Sequence, residues 1–130
     1  MKPELMYLVY VTILTALMWI PYVLDRMAVW GLRDTVGYPE TPKPQSGWAR
    51  RMKAAHANAI ENLVVFATLV LVANALGVSN AATATACMVY FWARVVHLLA
   101  YTFGVPWLRT LAFAAGFASQ AVLAWQLLGR

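Results

Sequence analysis

The stretch RRMKAAHANAIENLVVFATLVLVANALG, Arg50 to Gly77, opens on three cations, passes through His56, Asn58, Glu61 and Asn62, and then carries no charge to its end. A helix over residues 50–76 rises about 1.5 Å per residue and so reaches roughly 40 Å. A bilayer's hydrocarbon core is only roughly 30 Å thick. The helix therefore spans the core and projects about two turns beyond it, which sets its polar mouth at the membrane surface. The fold class follows from this one segment, and the rest of the chain repeats it.

Of 130 residues, 62% are hydrophobic and 12% charged, about half of the roughly 25% charge usual in a soluble domain. Mean hydropathy is +0.64. Residues 5–24, 63–92 and 110–129 contain no Asp, Glu, Lys or Arg, and each window supplies the roughly 20 residues a membrane helix needs. The middle window is too long for one helix and is broken at NALGVSNAAT, where Gly77 suits a helix end and Ser79 or Asn80 a helix start. The expectation is an all-α membrane protein, an up-and-down bundle of four spans over about 4–29, 50–76, 80–103 and 107–128, forming one domain over 1–130. The N-terminal apolar region is too long for a signal peptide and has no small-residue cleavage site before Arg26, so it reads as the first helix. Cys87 is the single cysteine and excludes a disulfide within the chain.

Between the first two spans lie Arg26, Arg33, Lys43, Arg50, Arg51 and Lys53, while the turn after the second span has no Lys or Arg. The positive-inside rule puts that first connection in the cytoplasm and both termini on the other side. The net charge of +5 is thus an orientation signal and is not read as a nucleic-acid patch. No Walker A or HExxH pattern occurs, and no metal is expected. The partners expected are membrane lipid and a lipophilic small molecule. The short loops suggest a bacterial inner membrane.

In such a bundle the polar residues of the spans fall at one level, the cytoplasmic ends. Arg26 closes the first span; Asn58, Glu61 and Asn62 share a face of the second at i, i+3 and i+4, with Arg51 earlier on the same side. Arg94, His97 and Tyr101 form a stripe on the third at i, i+3 and i+7, and Arg109 and Thr110 open the fourth. Intramembrane charges face the bundle interior, a wet cavity or a ligand. One reading makes Glu61 and Arg94 a structural ion pair, with Asn58, Asn62 and His97 as interhelical hydrogen-bonding groups. It leaves three arginines, Arg51, Arg94 and Arg109, around one carboxylate, and that surplus points to an anionic ligand that also offers a donor to Glu61. His56 lies about 200° around the helix from Asn58 and reads as a packing or surface residue.

These residues resemble the MAPEG family, the membrane-associated proteins of eicosanoid and glutathione metabolism. KAAHANAIEN matches the family's second-span pattern at Ala55, His56, Asn58, Glu61 and Asn62; RVVHLLAY carries its third-span pattern at Arg94, His97 and Tyr101; PWLR supplies its arginine as Arg109. The resemblance implies a homotrimer that binds glutathione as cosubstrate between subunits near the cytoplasmic face, and a transferase or peroxidase acting on lipophilic electrophiles. By position, Asn58 and Glu61 hold the γ-glutamyl end, Arg51 and Arg94 neutralise carboxylates, His97 and Tyr101 line the peptide, and Arg109 stabilises the thiolate. Arg26 corresponds to the family's first-span arginine, and Thr110 keeps a hydroxyl beside Arg109. Ala54 and Ala57 stand where the best-known transferases carry basic residues, so Lys53 or Arg51 is expected to compensate. A noncatalytic subunit or scaffold, or a binder of another anionic amphiphile, is the alternative.

Overall fold

The computed structural model describes residues 1–129, and within them the chain is all helix. Helix α1 covers Pro3–Leu17, α2 Trp19–Val36, α3 Gly47–Ala75, α4 Ala81–Thr102 and α5 Pro106–Leu128. Four segments are long and apolar enough to cross a membrane, with α1 and α2 together forming the first, Pro3–Val36. This is an integral membrane protein.

The first span departs from the single helix over 4–29 in two places. It breaks at Met18, between α1 and α2, because Pro21 has no N–H for the Leu17 carbonyl and its ring crowds that carbonyl. It also runs on to Val36 through Gly31, whose φ of 79° takes the chain out of helical geometry. Trp30 Nε1 then donates to the Lys43 carbonyl at 2.6 Å, and the Asp25 carboxylate accepts from the Ser46 hydroxyl at 2.6 Å and its N–H at 3.1 Å. These bonds fold the Pro-rich connection back to the start of α3, which begins at Gly47, ahead of the expected residue 50.

The two tight connections share one device. After α3, Gly77 N–H donates to Asn74 O and Val78 N–H to Ala73 O; after α4, Gly104 N–H donates to Tyr101 O and Val105 N–H to Ala100 O. Each closes the orphan carbonyls of a helix end around a residue at positive φ, here Gly77 at 69° and Gly104 at 74°, a conformation that costs an L side chain roughly 1–2 kcal/mol. Asn80 then starts α4 with a capping box: its Oδ1 accepts from the Thr83 N–H, and Thr83 Oγ1 accepts from the Asn80 N–H. Pro106 starts α5 at the position where its missing N–H is not needed.

Helix α4 is the axis of the bundle, packed on α5, α1 and α3. At one end, Glu4 Oε1 accepts hydroxyl bonds from Ser79 at 2.9 Å and Thr83 at 2.8 Å, and Asn80 donates to Gln126. These bonds tie the start of α1, the α3–α4 turn and the end of α5 together. The deep core holds Val11, Phe66, Val70, Cys87, Tyr90 and Leu123, with Phe66 and Tyr90 stacked at 3.8 Å. Toward the opposite, basic end a smaller cluster of Met18, Met52, Ala55 and Ala59 packs against Tyr22, Leu98 and Tyr101. The polar residues of the motifs lie at this basic end.

Candidate functional site

Helix α3 brings Arg51 to the mouth and Asn58, Glu61 and Asn62 about two to three turns deeper, since seven to eleven residues rise roughly 10–16 Å. The Arg51 side chain is held firmly. Its Nε donates to the Thr102 carbonyl at 2.9 Å, and it runs between Gly47 and Gly104. A Cβ at Gly47 would stand 3.3 Å from its Nη1 and one at Gly104 3.5 Å from its Nε. A hollow of about 130 Å³ is lined by Arg51, Tyr101, Gly104, Pro106 and Arg109, among others, so two of the expected arginines meet across Tyr101. The Arg109 guanidinium sits 4.7 Å from the Tyr101 ring centroid, a cation–π contact that orients it.

Deeper in, Arg94 is 4% exposed and donates from Nη2 to Asn58 Oδ1 at 2.8 Å. Asn62 Nδ2 donates to the Asn58 carbonyl at 3.0 Å and to its Oδ1 at 3.3 Å. Gln120, reaching from α5, donates to the Asn62 carbonyl at 3.2 Å. The Asn62 and Arg94 donors fix the Asn58 carboxamide oxygen, while Gln120 ties α5 to the α3 backbone. Sequence reading missed Gln120, whose signal is one of two carboxamides inside the charge-free run of α5. His97 is 2% exposed and meets Tyr101 edge-on at 5.7 Å. Arg94 Nε and His97 Nδ1 are buried without a hydrogen-bond partner.

The structural ion pair between Glu61 and Arg94 is not what the chain forms. Among the described residues Arg94 bonds the neutral Asn58, while Glu61 is exposed on α3 with no hydrogen-bond or ion-pair partner. Glu61 is rotated about 60° from Asn58 around the helix, past the face that packs on α4. Arg26 lies apart from this group: its Nε donates to Gln45 Oε1 at 3.5 Å and its guanidinium stands 5.0 Å over the Trp30 ring. Thr110 is exposed and bonds back to the Pro106 carbonyl of its own helix. His56 Nδ1 hydrogen-bonds the Tyr22 hydroxyl at 2.8 Å and so pins α2 to α3.

A second hollow of about 290 Å³ adjoins the first through Arg51 and Tyr101 and is completed by Gly47, Arg50 and Ala54. The cation that joins Arg51 there is Arg50, and Lys53 is not among its lining. Larger hollows of about 610 and 430 Å³ run along the α4–α5 seam, lined by Ala, Val and other residues without a charge. No arginine lines either of them, so they offer nothing to an ionic ligand.

The basic end thus presents a mouth with Arg50, Arg51 and Arg109 and an interior cation, Arg94, satisfied only in part. That arrangement can bind an anion and stabilise negative charge near Arg109. Compared with known proteins, the chain matches the model of the MAPEG family over residues 7–129. No curated protein and no solved structure matches it.

Proposed function

The chain belongs to the MAPEG family, a membrane family of eicosanoid and glutathione metabolism, and from that premise we propose that it is a glutathione-dependent transferase or peroxidase acting on lipophilic electrophiles. The observation that carries this reading is the separation of Arg94 from Glu61. A buried guanidinium costs several kcal/mol unless its charge is compensated, yet Arg94 has one neutral acceptor. Glu61 lies fourteen residues past Gly47 on α3, roughly 21 Å along the helix. With α3 projecting about two turns from the membrane, Glu61 lies on an exposed face near the membrane boundary, where a carboxylate calls for a partner. Each charge needs an opposite one from outside the protomer. Glutathione brings two carboxylates and one ammonium, and a neighbouring copy of the chain covers the Glu61 face, so the functional unit is a homotrimer with the peptide between subunits. By the positive-inside rule the site faces the cytoplasm, and the short loops fit a bacterial inner membrane.

In this reading Asn58 and Glu61 hold the γ-glutamyl end, Arg51 and Arg94 take carboxylates, and His97 and Tyr101 line the peptide. Arg26 and Thr110 contribute from the edge. Arg109 stabilises the thiolate: a free thiol near pKa 8.5 is mostly protonated at neutral pH, and an adjacent cation lowers that value. In the transferase reaction sulfur bonds to the electrophilic carbon while the leaving group departs with the bonding pair. In the peroxidase reaction two glutathiones become the disulfide while a hydroperoxide is reduced to alcohol and water.

The second reading, a noncatalytic MAPEG subunit or a binder of another anionic amphiphile, draws on Ala54 and Ala57, which remove two cations from the mouth. Turnover separates them. Purified protein in lipid nanodiscs should consume glutathione with an aryl halide or a fatty-acyl hydroperoxide, and Arg109→Ala should abolish that consumption. Binding without turnover toward either class of electrophile would select the noncatalytic reading.

A further inference from the structure

The α2–α3 connection turns apolar side chains outward and a charged one inward. Leu32 and Val36 are 63% and 75% exposed and Tyr38 fully so, while a hollow of about 80 Å³ within the same segment is lined by Trp30, Asp34, Pro39, Thr41, Pro42 and Lys43. In water the sorting runs the other way, since it is apolar surface that gains by being covered. The height of the segment accounts for the inversion. The first span runs 34 residues, Pro3–Val36, well beyond the roughly 20 that cross a bilayer, so its last turns lie at the membrane boundary. Trp30 is an aromatic residue of the interfacial type, and its Nε1 donates to the Lys43 carbonyl at 2.6 Å, so residues 31–42 start and finish at one level. Just before and after them, Asp25 holds Ser46 and Arg26 bonds Gln45. The connection is tethered against the membrane surface.

Gly31 supplies the change of direction. On α2, Ile20, Leu24 and Met27 are exposed at i, i+4 and i+7, one face that belongs to the lipid-facing side of the span. An unbroken helix would bring Gly31, Asp34 and Thr35 into that face and leave Leu32 about 80° away from it. The φ of 79° and ψ of 162° at Gly31 end the helical path, a conformation glycine adopts without a Cβ penalty. The next turn sets off anew, with Leu32 and Val36 at i and i+4 on its own face.

We propose that residues 32–38 form a membrane-surface foot, in which Leu32, Val36 and Tyr38 enter the headgroup zone of the leaflet at the basic end. The occupant of the patch is lipid, because the patch continues the lipid-facing side of the first span and sits at the level that Trp30 sets. Arg33 and Lys43, both exposed, flank it with cations that stay among the phosphates while the apolar side chains go deeper. The foot fixes the start of α3. The Asp25 bonds to Ser46 pass its position to Gly47, which borders the Arg51 side chain. Contact with the bilayer thus sets the height of the basic mouth, whichever anion the mouth receives.

The test is made on the full-length chain in lipid nanodiscs. Cys87→Ala removes the single cysteine, and Val36→Cys or Glu40→Cys is added and labelled with a nitrobenzoxadiazole fluorophore. The label at 36 should emit at short wavelength, be quenched by phospholipid carrying a nitroxide near the top of its acyl chain, and resist aqueous iodide. The label at 40, an exposed charged position, should be quenched by iodide and not by the lipid nitroxide. A second measurement keeps Cys87 in place. Trypsin cleavage after Arg33, followed by mass spectrometry, should be slow in the wild type and faster by about tenfold or more in Leu32→Asp combined with Val36→Asp, which loses two apolar contacts with lipid. The proposal is overturned if the label at 36 is open to iodide and untouched by the lipid nitroxide, which puts the patch in water. It is equally overturned if that label is shielded from both, which puts the patch against another copy of the chain, or if the double variant is cleaved no faster than the wild type.

Discussion

Replacing Asn58 by leucine should cost this protein more stability than replacing the carboxylate three residues later. The Asn58 side chain is the sole hydrogen-bond acceptor for Arg94 among the described residues, at 2.8 Å, and Arg94 is 4% exposed. Asn58→Leu leaves the guanidinium buried with all of its donors unpartnered. Stranding one member of a buried charged interaction costs roughly 3–5 kcal/mol, and because the lost partner is a neutral carboxamide the value lies at the lower end, about 3 kcal/mol. Asn62 keeps its bond to the Asn58 carbonyl and contributes little to the loss. In a thermal scan followed by tryptophan fluorescence in detergent, Tm should fall by roughly 10 °C for a chain of this size. Arg94→Met added to Asn58→Leu should recover most of it, because an apolar side chain of similar length removes the stranded charge. Glu61→Gln should move Tm by no more than about 0.5 kcal/mol equivalent, the range of changes at residues with no buried partner. The reasoning is refuted if Glu61→Gln destabilises as much as Asn58→Leu, for then Glu61 and Arg94 are an ion pair in the native protein.

Gly47→Ala puts a Cβ at 3.3 Å from Arg51 Nη1, so glutathione affinity measured by calorimetry should fall severalfold while Tm stays within about 0.5 kcal/mol of wild type. Thr83→Val removes a 2.8 Å bond to Glu4 and one half of the α4 capping box; denaturant unfolding should show a loss of about 1–2 kcal/mol with glutathione affinity unchanged. Arg109→Ala should leave assembly intact by size-exclusion chromatography and diminish the thiolate absorbance that appears on glutathione addition; an unchanged signal would remove Arg109 from the sulfur.

The spans were legible in the sequence because charge is costly in lipid and leaves long gaps, and the turns because Gly77, Asn80 and Pro106 each do something only a few residue types do. The break at Met18 was less legible. Pro21 lies within an apolar run that otherwise reads as one helix, and hydropathy does not register a missing N–H. The level of the candidate site was visible from the stripes of Asn58, Glu61, Arg94, His97 and Tyr101. Who pairs with whom was not, since Asn58 and Glu61 share a face only to within about 60°, and that angle decides which one meets Arg94. The same limit explains Arg50. Spacing alone does not separate the contributions of Arg50, Arg51 and Lys53 near an alanine, whereas the side-chain hollow selects Arg50 and Arg51. Gln120 escaped notice as one amide far from the motifs, and its partner is a backbone carbonyl that no side-chain pattern reveals.

The most direct test of the central claim is calorimetry of the detergent-purified wild type with glutathione, the thiolate absorbance being recorded in the same samples. Saturable binding accompanied by a thiolate signal, with both lost on Arg94→Met combined with Glu61→Gln, is the result expected of a site built to receive a zwitterionic thiol peptide. No heat and no thiolate signal at millimolar glutathione would contradict it and leave the arginines of the basic end to some other anion.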